Sequence, residues 1–266
     1  MRTKKMTRVS FSDNPQTIKI TMPKRWTELS DEELRLVFRI LDHYSGRKEN
    51  IAFHLFRMLT KMHVERQYEG RYQCCFPLGK KKIRCWISPE DLAEQLECLS
   101  FLEEPGAAPV HLNRIGFGLK KSYQGVHPQL HNVSFMDYVR LENLYQGFLK
   151  TKDMREILKI ASILYPGFRP ETDHIHAYEG LSIIQWLIQV KGMFAKAFPH
   201  FFKPSADGSG PAPSMVEVMN NEIRALTNGD VSKEAEIFDV DCWRCLTELD
   251  YKAREAEEFN RLKNKS

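Results

Sequence analysis

The C-terminal third of the chain has the clearest hydrophobic pattern. Two polar helical patterns run from Met215 to Lys263 and are joined at Thr227–Asp230. In the second, apolar residues recur three or four positions apart, on one stripe of a helix, namely Ile237, Val240, Trp243, Leu246, Leu249 and Ala253. The spacing predicts a long amphipathic helix with Asp230 or Ser232 as its N-cap.

Further helices are indicated upstream. Ser30 with Glu33 forms a capping box before an apolar run, and Ser88 followed by Pro89 is typical of a helix start. Helical periodicity also covers 51–62, 135–150, 153–164 and 175–198. Together these patterns predict seven or eight helices.

The β signals are fewer. Residues 17–21 alternate like a short strand, and 110–115 have the composition of another. Two β-prone runs, 72–76 and 82–87, flank a basic turn and predict a hairpin. We therefore expect a mainly α protein, a helical bundle with a small antiparallel β element.

A Pro- and Gly-rich stretch divides the helical pattern near its end. Residues 204–214 contain three prolines and two glycines, a composition typical of a linker or loop. The sequence thus predicts a mainly helical body over 1–203, a linker over 204–214 and a C-terminal helical pair over 215–266.

Charge and length set broad limits on the class of protein. The 266 residues carry a net charge of +4, which is too small to indicate nucleic-acid binding by itself. The basic N-terminus lacks the apolar core of a signal peptide, and the most apolar window, 181–190, is too short to cross a bilayer. We expect a cytoplasmic protein with no membrane contact.

The six cysteines do not form a convincing metal set. Cys242 and Cys245 have CxxC spacing, but they lie on the apolar helix stripe and are expected to pack in the core. Cys74 and Cys75 are adjacent on a strand and point to opposite faces, which leaves one ligand for any site shared with Cys85. No cofactor and no metal are expected from these thiols.

Asp173, His174 and His176 are the best candidate for catalysis. An HxH pair beside a carboxylate can bind a divalent metal, so a metal-dependent enzyme is one alternative hypothesis. The competing interpretation is a polar helix cap. The common motifs of serine hydrolases, nucleotide-binding proteins and zinc proteases are absent from the sequence.

The hairpin supplies a second alternative. Lys80, Lys81, Lys82 and Arg84 lie beside Tyr72, Phe76 and Trp86, and such a surface binds phosphates and stacks bases. Lysines at a hairpin tip also simply prevent aggregation of strand edges. Nucleic-acid binding is therefore an alternative function.

Aromatic residues close the longest apolar helix and run into the Pro/Gly stretch. Because exposed aromatics mark interfaces, we expect partner-binding residues here and on the C-terminal stripe. They are Phe198, Phe201, Phe202, Trp243, Leu246 and Leu249.

Several segments resemble proteins encoded in the structural gene clusters of tailed phages and prophages of gut bacteria. These segments are Ile20–Leu29, Glu142–Gly147, Met219–Asp230, Trp243–Arg244 and Leu246–Leu249. The resemblance implies a setting in tail assembly, in the host cell cytoplasm if the protein is encoded by a phage, and it transfers no catalytic residue. We expect a non-enzymatic interaction protein, such as a tail-assembly chaperone, that docks a protein partner through apolar helix faces.

Overall fold

The structure is a computed structural model that describes residues 6–9, 18–44, 48–78, 81–103, 108–116, 118–119, 121–203 and 215–263. It is mainly α-helical with small antiparallel β elements, which confirms the predicted fold class. The helices described are α1 (Asp31–His43), α2 (Lys48–Thr60), α3 (Pro89–Leu96), α4 (Phe135–Thr151), α5 (Met154–Leu164), α6 (Ala177–Ala197), α7 (Met215–Thr227), α8 (Glu234–Asp239) and α9 (Cys242–Lys263).

The strands form three small antiparallel sheets in the described part of the chain. One pairs β1 (Met6–Val9) with β2 (Ile18–Thr21), and another pairs β6 (Arg114–Ile115) with β7 (Tyr123–Gln124). The third has the order β3 (His63–Tyr68), β4 (Arg71–Leu78), β5 (Lys81–Ile87). The strand expected over 110–115 is thus limited to its last two residues.

The chain divides into two compact units. Unit 1 comprises 1–112 and 177–181, and unit 2 comprises 113–176 and 182–266. Helices α7–α9 therefore share a unit with α4 and α5. The expected linker, 204–214, lies outside the described residues, so its character stays a prediction.

In unit 1, helix starts follow the predicted caps. The Ser30 hydroxyl accepts the N–H of Glu33, and the Glu33 carboxylate accepts the N–H of Ser30 at 2.8 Å. Ser88 caps α3 in the same way, accepting the N–H of Asp91 at 3.0 Å. These bonds satisfy N–H groups that the first turn of a helix leaves free, and they fix where α1 and α3 begin.

A buried ion pair also belongs to unit 1. The guanidinium of Arg35 donates to the Glu179 carboxylate at 2.9 Å and to Asp31 at 3.2 Å. Arg35 is 6% exposed and Glu179 is fully buried. Because a buried charge is costly without a partner, this pair ties the start of α6 to α1.

The three-stranded sheet contains the predicted hairpin and one strand that the sequence did not indicate. Cys74 of β4 lies opposite Cys85 of β5, as expected for the two β-prone runs. Every residue of the additional strand, β3, is exposed, and most of its sequence, HVERQY, is polar. An edge strand without an apolar alternation gives no period-two signal, which explains the omission.

The core of unit 2 is built around aromatic residues of α4, α6 and α9. Trp186, Phe135 and Phe194 are fully buried. The Trp186 indole donates to the carbonyl of Pro128 at 2.6 Å, so its one polar group is satisfied inside the core. The turn at Asn228 and Gly229 has positive φ angles of 53° and 79°, which ends α7 at the predicted junction.

The long C-terminal helix expected from the sequence is interrupted. Helix α8 ends at Asp239 and α9 begins at Cys242, with Val240 extended at φ −69° and ψ 145°. The Asp241 carboxylate accepts the N–H of Trp243 at 2.9 Å and that of Asn132 at 2.6 Å. The contact with Asn132 and the bridge between Ser134 and Asp241 favour the break, so a continuous helix was a wrong prediction.

Candidate functional site

A groove in unit 2 encloses a cavity of about 930 Å³ between helices α4, α7 and α9. One wall is a stripe of α4 with four-residue spacing, made of Tyr138, Glu142, Gln146 and Lys150. Residues four apart lie on the same helix face, so the stripe runs along the groove for about 18 Å. A cavity of this volume is large enough for a ligand or a protein segment.

Apolar side chains cover most of the groove. Val139 comes from α4, Met219 and Ala225 from α7, and Leu249 and Ala253 from α9. Phe201 and Phe202, which follow the end of α6, line the groove as half-buried rings. The groove therefore offers an apolar surface to which aromatic side chains contribute.

Hydrogen bonds to α9 hold the segment that carries these two rings. The Asp250 carboxylate accepts the backbone N–H groups of His200 and Phe201 at 2.8 and 3.0 Å. The Glu257 carboxylate lies 3.1 Å from Nδ1 of His200 and 3.0 Å from Nζ of Lys203. The hydrogen bonds from Lys203 and then His200 lower the pKa of Glu257, so this carboxylate stays charged.

Two carboxylates of the groove differ in their surroundings. Glu142 pairs with Nζ of Lys191 at 2.5 and 2.6 Å and accepts the side-chain N–H of Gln146 at 2.8 Å. Glu222 of α7 is half-buried, and burial, followed by the charge of Glu142, raises its pKa to about 7. Burial disfavours the charged form of an acid, and a neighbouring anion adds to the effect.

Three of the four lysines that line the groove have partners other than Glu222, and the fourth, Lys150, is exposed at the end of the α4 wall. Lys191 binds Glu142, Lys203 binds Glu257, and Nζ of Lys252 donates to Oδ1 of Asn228 at 2.5 Å. Within the described part of the chain, Glu222 has no cation partner. The groove thus combines an apolar lining with one acid that lacks a counterion.

The predicted partner-binding residues fall into two sets. Phe201, Phe202 and Leu249 line the groove. Phe198 and Leu246 are buried in the core of unit 2, and Leu249 is also only 4% exposed. Phe198 and Leu246 are therefore covered within the chain, whereas the two phenylalanines at 201 and 202 are half-buried.

Trp243 is also covered from within unit 2. Its indole N–H donates to the carbonyl of Gln129 at 2.7 Å, and its ring stacks on His131 with the centroids 4.9 Å apart. The rings of Phe194 and Phe198 approach it at 5.2 and 5.4 Å. Trp243 thus joins α9 to the end of α6.

Both cysteines of the CxxC spacing lie in this core. Cys242 is fully buried and Cys245 is 2% exposed. Burial is the main reason that the pKa rises to about 12 for Cys242 and about 11 for Cys245. The thiols are neutral and act as packing groups.

The structure describes three of the four basic residues predicted for the hairpin surface. Lys82 and Arg84 share a strand face with Trp86, but Arg84 pairs with Glu65 of β3 at 2.9 Å. Lys81 is exposed and points to the opposite face by strand alternation. Lys80 lies outside the described residues. Nucleic-acid binding stays a prediction.

Asp173 takes part in a loop rather than a metal cluster. Its carboxylate accepts the N–H of Arg169 at 2.8 Å and lies 3.7 Å from Nζ of Lys121. His174 is exposed, and His176 is half-buried. Among the residues that the structure describes, no group of three or more His, Cys, Asp or Glu side chains is arranged to hold a metal ion.

Sequence reasoning did not single out the charged residues of the groove. Glu142, Lys191 and Glu222 are separated by 49 and 31 positions and lie on three helices. One local signal exists, because Glu222 stands between Met219, Ile223 and Leu226 on the apolar side of α7. A lone acid on such a face is a candidate for a special role.

No family model matches the sequence, and comparisons with curated proteins and with solved structures found no match to the chain. In the described part of the chain, no helix has the length and apolar character needed to cross a membrane.

Proposed function

We propose that this chain is a non-enzymatic interaction protein whose groove in unit 2 holds an apolar helical segment of a partner protein. The observation that carries the proposal is the apolar groove of about 930 Å³, lined by Phe201 and Phe202. Its α4 wall is about 18 Å long, which matches three turns of a docked helix. Helices dock in such grooves through apolar residues at positions i, i+3, i+4 and i+7.

The charge of the groove narrows the partner. Glu222 lacks a cation in the described residues, while Lys191, Lys203 and Lys252 are paired elsewhere. A Lys or Arg of the partner segment supplies the missing charge, so the favoured partner is an apolar helix with one basic residue. An ion pair between the half-buried Glu222 and such a basic residue would make binding specific, because apolar segments without a basic residue would leave this acid unpaired.

The biological partner we propose is a structural protein of a phage tail, kept soluble until assembly. This part rests on the segments that resemble proteins of phage structural gene clusters, such as Met219–Asp230, which forms most of α7 and the turn after it. The groove supports the binding step, since covering an apolar helix prevents its aggregation.

Selection of random 14-residue peptides on the full chain tests the function. We expect enriched peptides with helical apolar spacing and a basic residue at one fixed position. Met219→Arg places a charge in the groove and should weaken their binding at least tenfold. Leu149→Arg changes an α4 residue that is already 41% exposed and does not line the groove, and it should leave binding unchanged.

The pH dependence of the selected peptides gives a second readout. Glu222 lines the same groove as Tyr138, Glu142 and Lys150 of α4, Lys191 of α6, Lys203, and Lys252 of α9. Because its pKa is about 7, its charge appears as the pH rises through 7, and affinity for a basic peptide should rise with it. Failure to enrich any peptide, or equal binding to Met219→Arg, contradicts the proposed function.

A further inference from the structure

A second cavity, of about 340 Å³, lies in unit 1 between the three-stranded sheet and helices α2 and α3. Val64 and Cys74 face each other across β3 and β4, and Ile87 of β5 lies on the same side of the sheet. The helices contribute Phe53, Leu92 and Leu96. The cavity is therefore walled by five elements of a single unit.

The lining of this cavity is uncharged. Its polar side chains are the Cys74 thiol and the Tyr72 phenol, and every other lining residue is aliphatic, aromatic or methionine. Burial, followed by the proximity of Cys85, raises the pKa of Cys74 to about 12, which keeps its thiol neutral at physiological pH. A charged ligand would lose its hydration here without gaining a counterion.

The size of the cavity favours a bound ligand. Protein interiors hold few voids larger than a water molecule, because a void deprives its walls of dispersion contacts. An apolar cavity of about 150 Å³ already takes up benzene and stays dry without it. A cavity of 340 Å³ accommodates a hydrocarbon group roughly twice as large, about a dozen carbon atoms.

We propose that this cavity binds an uncharged hydrocarbon group, such as the chain of a medium-length aliphatic alcohol. Val64 is 42% exposed although it lines the cavity, and it marks the side from which a chain enters. Met62 is 1% exposed and lies at the inner wall. The site is independent of the groove in unit 2.

Methionine methyl NMR with 1-decanol as the probe tests this site in the full chain. Met62 lines the cavity, whereas Met58 is 51% exposed and Met219 lines the groove of unit 2. We expect a saturable shift of the Met62 methyl signal and no change in the Met58 signal. A shift of the Met219 signal would instead report binding in the groove of unit 2. Decanoate at pH 8 should bind at least tenfold more weakly, since the lining has no cation.

Filling the cavity provides the matched control. Leu96→Trp and the milder Leu92→Phe should each weaken decanol binding at least tenfold, while Leu149→Trp, in unit 2, should not. The proposal is overturned if decanol leaves the Met62 signal unchanged, if the shift persists in both filled variants, or if decanoate binds as well as decanol.

Discussion

The Asp250 carboxylate accepts the backbone N–H of Phe201 at 3.0 Å, and this bond fixes an aromatic ring of the groove on helix α9. The N–H of His200 donates to the same oxygen at 2.8 Å. Both donors lie just after the end of α6, so one side chain satisfies a turn and positions a binding residue. The groove thus depends on a contact between residues about fifty positions apart.

Replacing Asp250 should loosen this segment. Asp250→Ala removes the acceptor of two N–H groups, and we expect a loss of about 1–3 kcal/mol in the free energy of unfolding, together with weaker peptide binding. Asp250→Asn keeps an acceptor oxygen and should retain most of both. Urea denaturation and peptide titration measure the two effects. Equal behaviour of the Ala variant and the wild type would show that the bonds do not hold Phe201.

Glu222 should make stability depend on pH. Its folded pKa of about 7 lies above the ordinary glutamate value of 4.5, so folding is favoured by protonation, and this contribution is lost as the pH rises from 4.5 through 7. Glu222→Gln should remove this pH dependence. At pH 8 its free energy of unfolding should exceed that of the wild type by roughly 2 kcal/mol, after allowance for solvent screening.

Denaturation midpoints between pH 5 and pH 8 provide the measurement for Glu222. Glu248→Gln, on the exposed side of α9, is the control and should follow the wild type. If the Gln variant of Glu222 loses stability over this pH range as steeply as the wild type does, Glu222 does not have a raised pKa in the folded protein.

Trp243→Ala should destabilise the whole of unit 2. The ring contacts Phe194, Phe198 and His131. Its loss leaves a cavity, which should lower the free energy of unfolding by about 3 kcal/mol or more. Trp86→Ala, on the outer face of β5, should cost less than about 1 kcal/mol. Thermal and urea unfolding measure the stability of both variants. A Trp243→Ala variant as stable as the wild type would mean that the ring is not covered within the chain.

The pair of Arg35 and Glu179 gives a prediction for unit 1. Glu179→Leu takes the carboxylate of Glu179 away from the buried guanidinium of Arg35, which also pairs with Asp31, and we expect a loss of about 3–5 kcal/mol in the free energy of unfolding. The double variant Arg35→Met and Glu179→Leu should be more stable than Glu179→Leu alone. A double-mutant cycle measures the coupling, and strictly additive effects would contradict a direct pair.

Local chemistry explains which elements the sequence predicted. The capping box of Ser30 and Glu33 and the proline after Ser88 act within one turn, so they can be recognised without tertiary structure. The break before α9 cannot be recognised in this way, because the carboxylate of Asp241 accepts the N–H of Asn132, which lies 109 positions away. Local periodicity alone predicted a continuous stripe there.

The candidate site was harder to predict than the fold. Phe201 and Phe202 were identified as aromatic residues beside a Pro/Gly stretch, and the structure places both in the groove. Glu142, Lys191 and Glu222 carry no short motif, since they come together only when α4, α6 and α7 pack. Their role depends on burial and on mutual charge, which sequence spacing does not encode.

Site-specific photocrosslinking in cells that also produce the neighbouring gene products tests the central claim most directly. A photoreactive residue in place of Gln146 stands in the middle of the groove wall, and one in place of Asn143 stands on an exposed part of the same helix. We predict that position 146 crosslinks to an apolar segment of one partner protein that contains Lys or Arg, and that position 143 does not. Equal crosslinking at both positions, or none at 146, would contradict a partner-binding groove.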